Sequence, residues 1–171
     1  MLSLNIDKNL IIEWGSNFVK VKGPLGILIK KKDNFSLAIK ESKLYLWSTT
    51  FPEKELTYLS WLKSMIFGVT KGYKQKLRLI GVGFRANILE DTLNLKIGYS
   101  HIINYKIPED IKITTSKNKG IILLVKGKEL QKVRQISTEI RKLREPDSYK
   151  GKGIHYYGEI LTLKKGKREG K

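Results

Sequence analysis

Glu53-Lys54-Glu55-Leu56-Thr57-Tyr58-Leu59-Ser60-Trp61-Leu62-Lys63-Ser64-Met65-Ile66-Phe67-Gly68-Val69-Thr70 is where this chain changes its hydrophobic period. Leu56, Leu59, Leu62, Met65, Ile66 and Val69 recur at helical spacing, and Gly72 stands just past the last of them. Trp61 and Phe67 thicken the stripe, so the spacing predicts a well-covered helix from Glu53 onward. Everything before it reads as strands. Segments 10–14, 18–22, 27–31, 35–40 and 44–48 alternate or are β-branched. Turn signals separate them at Gly15-Ser16-Asn17, Gly23-Pro24-Leu25-Gly26, Lys32-Asp33-Asn34 and Glu41-Ser42.

The plan then repeats. Strands are expected over 76–81, 84–89, 93–97, 102–107, 111–115 and 121–126, followed by a helix over 129–143 with Leu130, Val133, Ile136, Ile140 and Leu143 on its apolar face. Lys54-Glu55-Leu56 and Lys128-Glu129-Leu130 mark corresponding helix starts. Glycine-containing turns, Gly23 to Gly26 and Gly98 to His101, stand between neighbouring strands in each copy. The expected fold is α+β: two tandem copies of a small antiparallel sheet packed against one helix. Residues 1–74 form the first repeat, and residues 75–171 the second, which adds a basic loop and a C-terminal tail.

Charge points to a partner. The chain has 34 Lys+Arg against 16 Asp+Glu, a net charge of +18 over 171 residues, which opposes compaction and implies a polyanion, nucleic acid before an acidic membrane surface. Residues 1–74 carry 12 lysines against six acids, and residues 75–171 carry 16 lysines and six arginines against ten acids. Arginine binds phosphate in two places at once and stacks on bases, so the second repeat is expected to be the main RNA grip. Without cysteine there is no disulfide, thiolate zinc site or cysteine nucleophile, and no apolar run is long enough for a bilayer. Asp7 and Glu13 interrupt any signal peptide, and the first arginine is Arg78, so no targeting segment is expected.

Pro146-Asp147-Ser148-Tyr149-Lys150-Gly151-Lys152-Gly153-Ile154 concentrates lysine, glycine and an aromatic in one short run. Lysines suit phosphate, Tyr149 offers a stacking face, and glycines let a backbone approach closely. It is expected to be a preformed RNA-binding loop that leaves the core untouched, so valine at Gly151 or Gly153 should leave the domain folded. Helix 129–143 bears Lys132, Arg134, Arg141, Lys142 and Arg144, either as a solvated face with Glu139 and Glu145 as partners or as an RNA contact. Gly81-Val82-Gly83 is expected to form a bend that aims Arg85, since no third glycine completes a dinucleotide fingerprint. Gly23-Pro24-Leu25-Gly26 matches a backbone-clamping G-x-x-G, but strands flank it, so it reads as a hairpin turn. His101 and His155 lie in expected loops as hydrogen-bond donors to RNA rather than metal ligands. Acid pairs Glu90-Asp91 and Glu109-Asp110 read as turn chemistry. No enzyme, cofactor, metal site, small-molecule substrate or membrane partner is expected.

Gly68-Val69-Thr70-Lys71-Gly72-Tyr73, Gly81-Val82-Gly83-Phe84-Arg85-Ala86, Leu95 through His101, Glu139-Ile140-Arg141 and the run 146–154 together resemble the large-subunit ribosomal protein family conventionally numbered six, in its bacterial and organellar form. Val21 through Gly26 extends the resemblance into the first repeat. The resemblance implies a duplicated α+β fold and a structural role on the large subunit near the stalk base and factor-binding region. The partners it implies are large-subunit ribosomal RNA and neighbouring ribosomal proteins. Candidate RNA contacts are Arg85, Tyr99, Ser100, His101, Arg141, Arg144, Tyr149, Lys150, Gly151, Lys152, Gly153 and His155. Lysine in excess of arginine, much isoleucine and only Ala38 and Ala86 suggest an AT-rich organelle genome. A mitochondrial matrix ribosome is expected first, with plastid or bacterial cytoplasm as alternatives. A free RNA-binding protein acting outside the ribosome is the competing function.

Overall fold

The structure, a computed structural model, describes residues 2–5, 10–32, 35–40, 43–48, 52–116 and 120–164. The turns expected at 33–34 and 41–42 and the end of the tail lie outside these residues. The chain separates into two compact units, residues 1–73 with 128–130, and residues 74–127 with 131–171.

The first unit runs β1 (Leu2–Asn5), β2 (Ile11–Trp14), β3 (Phe18–Gly23), β4 (Gly26–Lys31), β5 (Ser36–Lys40), β6 (Lys43–Trp47), a 3-10 turn at Pro52–Lys54, and helix α1 (Glu55–Thr70). Its strands form two antiparallel sheets, β1-β6-β5 and β2-β3-β4. Alternation explains the inner faces: Ile12, Val19 and Val21 from one sheet and Leu37, Leu44 and Leu46 from the other join Leu62, Met65 and Val69 of α1 in one core. Phe35 stacks on Tyr58 with centroids 4.7 Å apart and meets Trp61 edge-on.

The ends of α1 follow from local chemistry. The Glu55 carboxylate accepts the Ser48 backbone N–H at 3.0 Å, and this bond holds its carboxyl below the usual glutamate range. At the other end Lys71 and Gly72 both donate backbone N–H to the Phe67 carbonyl, with Gly72 at φ 72°. The apolar stripe is narrower than expected. Leu56 is 69% exposed and Phe67 42%, whereas Leu62 is fully buried. Helical spacing identifies a face, but the width of the sheet beneath decides how much of it is covered.

The second unit runs β7 (Tyr73–Ile80), β8 (Arg85–Leu89), β9 (Thr92–Lys96), β10 (Ile103–Lys106), β11 (Ile111–Ser116), β12 (Ile121–Gly127), helix α2 (Leu130–Lys142) and β13 (Gly153–Tyr156). The sheets are β10-β9-β8 and β11-β12-β7-β13. Leu77, Leu79, Leu93, Leu95, Leu123, Val125, Val133, Ile136, Ile140 and Ile154 are buried. The α+β class and one helix per copy are as expected, with each copy's strands divided between two sheets. β1 and β13 were missed. β13 corrects the reading of 146–154 as loop throughout: Gly153 and Ile154 pair antiparallel with Ile80 and Leu79, and Ile154 is fully buried. Among the described residues no helix is long and apolar enough to cross a membrane.

Replacing Leu62 by alanine is expected to cost about 2–5 kcal/mol of stability by denaturant titration, as for a large core aliphatic. Leu56→Ala should change it by less than about 0.5 kcal/mol, the level of an uninvolved surface position. Equal effects would show that α1 buries both.

Candidate nucleic-acid interface

One aromatic ring organises one end of the second unit. Phe84 is buried, and a Cβ at Gly81 would fall 2.6 Å from its ring, one at Gly98 3.3 Å. The two glycine turns therefore rest on the same ring, Gly81 because a Cβ would collide with it and Gly98 in a backbone conformation at φ 86° that favours glycine. From the first turn, which has Gly83 at φ 75°, the chain enters β8 with Arg85 exposed and paired in register with Lys96. From the second, Tyr99, Ser100 and His101 emerge exposed.

That second turn is tied to the end of α2. The Tyr99 hydroxyl donates to the Leu143 carbonyl at 3.1 Å, satisfying an acceptor left over where the helix stops. Arg144 lies over the Tyr99 ring at 5.0 Å, and His101 stacks on its neighbour Tyr99 with centroids 6.1 Å apart. Tyr99, His101 and Arg144 are thus one cluster, assembled from residues more than forty positions apart.

The loop after α2 adjoins this cluster through Arg144, whose carbonyl accepts the Ile154 N–H at 2.9 Å. Its organiser is Asp147, which sequence reading passed over. The carboxylate accepts the Lys150 N–H at 3.0 Å and the Tyr149 N–H at 3.2 Å, an Asx turn. The Asp147 backbone exchanges bonds with Gly151 and Lys152, each 2.9 Å. Those amide bonds, Lys150 first and Tyr149 next, hold the Asp147 carboxyl below its ordinary value. The turn preference of Pro-Asp-Ser was the available signal. Tyr149, Lys150 and Lys152 are exposed on the folded turn, and Ser148 accepts the Lys164 N–H at 2.9 Å from the following segment. Gly151 takes φ 65°, so glycine there serves backbone conformation.

Two candidates, His155 and Gly153, turn inward where exposed loop positions were expected, and a third, Arg141, is paired within the unit. His155 lies in β13, 5% exposed, with its Nε2–H donating to the Gly151 carbonyl at 2.8 Å. It braces the loop from below instead of reaching outward, its ring held against the loop by that bond. Gly153 is buried at φ 147°, and a Cβ there would fall 2.7 Å from the Glu145 carbonyl oxygen and from Pro146. Its smallness serves the protein's own packing, and a valine there would not leave the domain undisturbed. Arg141 pairs with Glu159 at 2.7 Å and lies over the Tyr156 ring at 5.3 Å. Glu159 also accepts the Tyr156 N–H; burial opposes its ionisation, but that bond and Arg141 together hold its carboxyl below the usual range.

The rest of α2 also differs from the expected intrahelical pairing. Glu139 accepts the Tyr105 hydroxyl at 2.5 Å and bonds Gln135, and the Tyr105 bond is the main reason its carboxyl is lowered. Burial, with Glu139 second, pushes the Tyr105 phenol up. Lys132 reaches Asp110. Arg134 stays exposed beside a shallow groove of about 300 Å³ lined by Gln75, Ser137, Thr138 and Tyr156. Among the described residues no group of three or more His, Asp or Glu side chains could hold a metal. The geometry offers cations, stacking faces and hydroxyls at one end of the unit, suited to a phosphate backbone with bases displayed beside it.

A family model described as Ribosomal protein L6 matches residues 80–157, the span that contains every candidate contact named above. The chain is 38% identical to a protein named large ribosomal subunit protein uL6m from Reclinomonas americana, over 97% of this chain and 96% of that one. It is 39% identical to large ribosomal subunit protein uL6 of Mycoplasmoides gallisepticum, over 98% of this chain and 95% of the relative. With uL6 of Thermotoga neapolitana the identity is 33%, over 96% and 95%.

The depressed Asp147 carboxyl makes the loop acid-sensitive. A carboxyl lowered by folding stabilises the turn at pH above its unfolded value, and the stabilisation is lost as pH falls through the lowered value. Protection of the Tyr149 and Lys150 amides from exchange should hold from neutral pH down through the ordinary carboxylate range and be lost as pH falls through the lowered value of Asp147. Asp147→Ala, which leaves no side-chain acceptor, should abolish that protection at neutral pH and remove the acid transition. In the same measurements Gly153→Val should lower the unfolding temperature of the second unit, and Gly151→Ala should do so far less.

Proposed function

The chain belongs to the ribosomal protein L6 family, and from that premise we propose that it binds large-subunit ribosomal RNA mainly through residues 75–171. It is a structural ribosomal protein and not an enzyme. The RNA surface consists of Arg85, Tyr99, Ser100, His101, Arg144, Tyr149, Lys150 and Lys152, with Gly151, Gly153 and His155 shaping the loop and Arg141 buttressing it. The protein sits near the stalk base and factor-binding region, beside neighbouring ribosomal proteins. Its lysine-rich, alanine-poor composition and its likeness to the Reclinomonas protein favour a mitochondrial ribosome.

One observation carries the RNA reading. Two glycine turns, the end of α2 and the Asx-turn loop bring guanidinium, ammonium and aromatic groups to the same end of one unit, while Asp147 directs its charge into the loop's own amides. Glu145 is the other acid of that loop, and it is exposed. All six arginines of the chain lie beyond residue 74. A free RNA-binding protein would share these features, so sedimentation separates the two functions: a tagged chain should co-migrate with large subunits in a sucrose gradient.

Affinity for large-subunit RNA should fall steeply with salt, each phosphate contact contributing roughly 0.7–0.9 to the logarithmic slope. Lys150→Ala with Lys152→Ala should lower that slope by up to about two contacts' worth. Asp147→Ala is the sharper test, because it removes a negative charge and makes the protein more cationic. If loop shape matters, affinity drops by about tenfold, equivalent to roughly 1.4 kcal/mol. If charge alone matters, affinity rises.

A further inference from the structure

The outer face of the β2-β3-β4 sheet in the first unit lacks the polar pattern of a solvated face. Register sets its rows: Ile11, Lys22 and Ile27 in one, then Glu13, Lys20 and Ile29, then Phe18 beside Lys31. Ile11, Phe18, Ile27 and Ile29 are between 43% and 62% exposed. An antiparallel sheet with one face in water normally alternates apolar inside and polar outside. Here the inner set, Ile12, Val19 and Val21, is buried against α1, and the outer set is half apolar as well. Lone exposed aliphatics need no explanation, but Ile27 and Ile29 are neighbours along β4, Phe18 lies diagonal to Ile29, and Ile11 shares the Ile27 row across Lys22, so four large apolar groups on one face mark an interaction surface.

We infer that this face docks an acidic amphipathic helix of a partner protein. Dimensions support a helix: two inter-strand spacings make a strip about 10 Å wide, the diameter of one helix. The six-residue strands β3 and β4 are about 20 Å long, room for about 13 helical residues. Charge supports acidity. Lys20, Lys22 and Lys31 face outward against the single acid Glu13, which pairs with Lys20 at 2.7 Å. A helix with an apolar stripe would cover the isoleucines and Phe18 and bring flanking carboxylates to Lys22 and Lys31.

The other occupants fit less well. A second copy would set these lysines against their own counterparts, which costs binding energy. RNA would find no arginine anywhere in residues 1–74 and mainly branched aliphatics where stacking surfaces are needed.

The test is photocrosslinking in living cells from Ile29→p-benzoylphenylalanine, with mass spectrometry of the adduct and sedimentation of the same lysate. Crosslinking precedes fractionation, so its outcome stands apart from whether the chain co-migrates with large subunits. The expected adduct is a protein segment of helical period and net negative charge. In a second variant the probe replaces Ile27, and Ile11→Ser with Ile29→Ser should reduce that adduct at least tenfold. The serine substitutions should leave the unfolding temperature and RNA affinity unchanged, since both positions are exposed. Adducts confined to RNA, to a second copy or to a basic segment would overturn the inference, as would the absence of any adduct or insensitivity to the serine substitutions.

Discussion

Each unit depends on a donor delivered by a glycine turn to the carbonyl-rich end of its helix. In the first, the β3–β4 turn gives the Leu25 N–H to the Val69 carbonyl at 2.9 Å. A Cβ at Gly23 would fall 2.7 Å from the Val69 side chain and 2.8 Å from its carbonyl, so the approach requires glycine. In the second, the β9–β10 turn gives the Tyr99 hydroxyl to the Leu143 carbonyl. Helix ends leave acceptors unpaired and concentrate negative partial charge. Capping them from a hairpin fixes where that hairpin sits, and in the second unit the same place gathers Tyr99, His101 and Arg144. Duplication of the plan explains why both copies solve the problem alike, one with a backbone amide and the other with a side chain.

A highly cationic chain invites the view that its charges act in bulk. Geometry argues otherwise. Arg141 and Lys132 are paired within the second unit, and Lys20 with Glu13 in the first. Most of the residues proposed to engage RNA are raised on turns whose shape comes from uncharged or negative groups. Phe84 spaces two of the turns, Asp147 folds the third, and His155 supports that third turn from within the sheet. The anion in the middle of a cationic loop therefore gives that loop its shape, because its two amide bonds hold a run of glycine and lysine in one conformation.

Much of this was legible in the residues. The change from period two to period 3.6 before Glu55 and again before Leu130 marked both helices, and alternation located most strands to within a residue or two. Repetition of strands followed by a helix announced the α+β class. Gly81, Gly83 and Gly98 stood out because a turn against a ring or at positive φ leaves few other choices. The run 146–154 was visible as basic, exposed and aromatic, and Tyr149, Lys150 and Lys152 are exposed there.

What the sequence determined was therefore what nearest neighbours determine: periodicity, turns, the supply of charge and the duplication. Only tertiary structure decided which side of each residue meets water. Gly153-Ile154 reads as the end of a polar loop until β7 is present to pair with it, after which Ile154 becomes core and His155 bonds the Gly151 carbonyl. Arg141 reads as a surface cation until Glu159, eighteen residues later, returns to it. Tyr99 and Arg144 become one element of the site only because α2 ends beside the β9–β10 turn. Such facts belong to pairs of residues distant along the chain, and no local pattern encodes a distant partner.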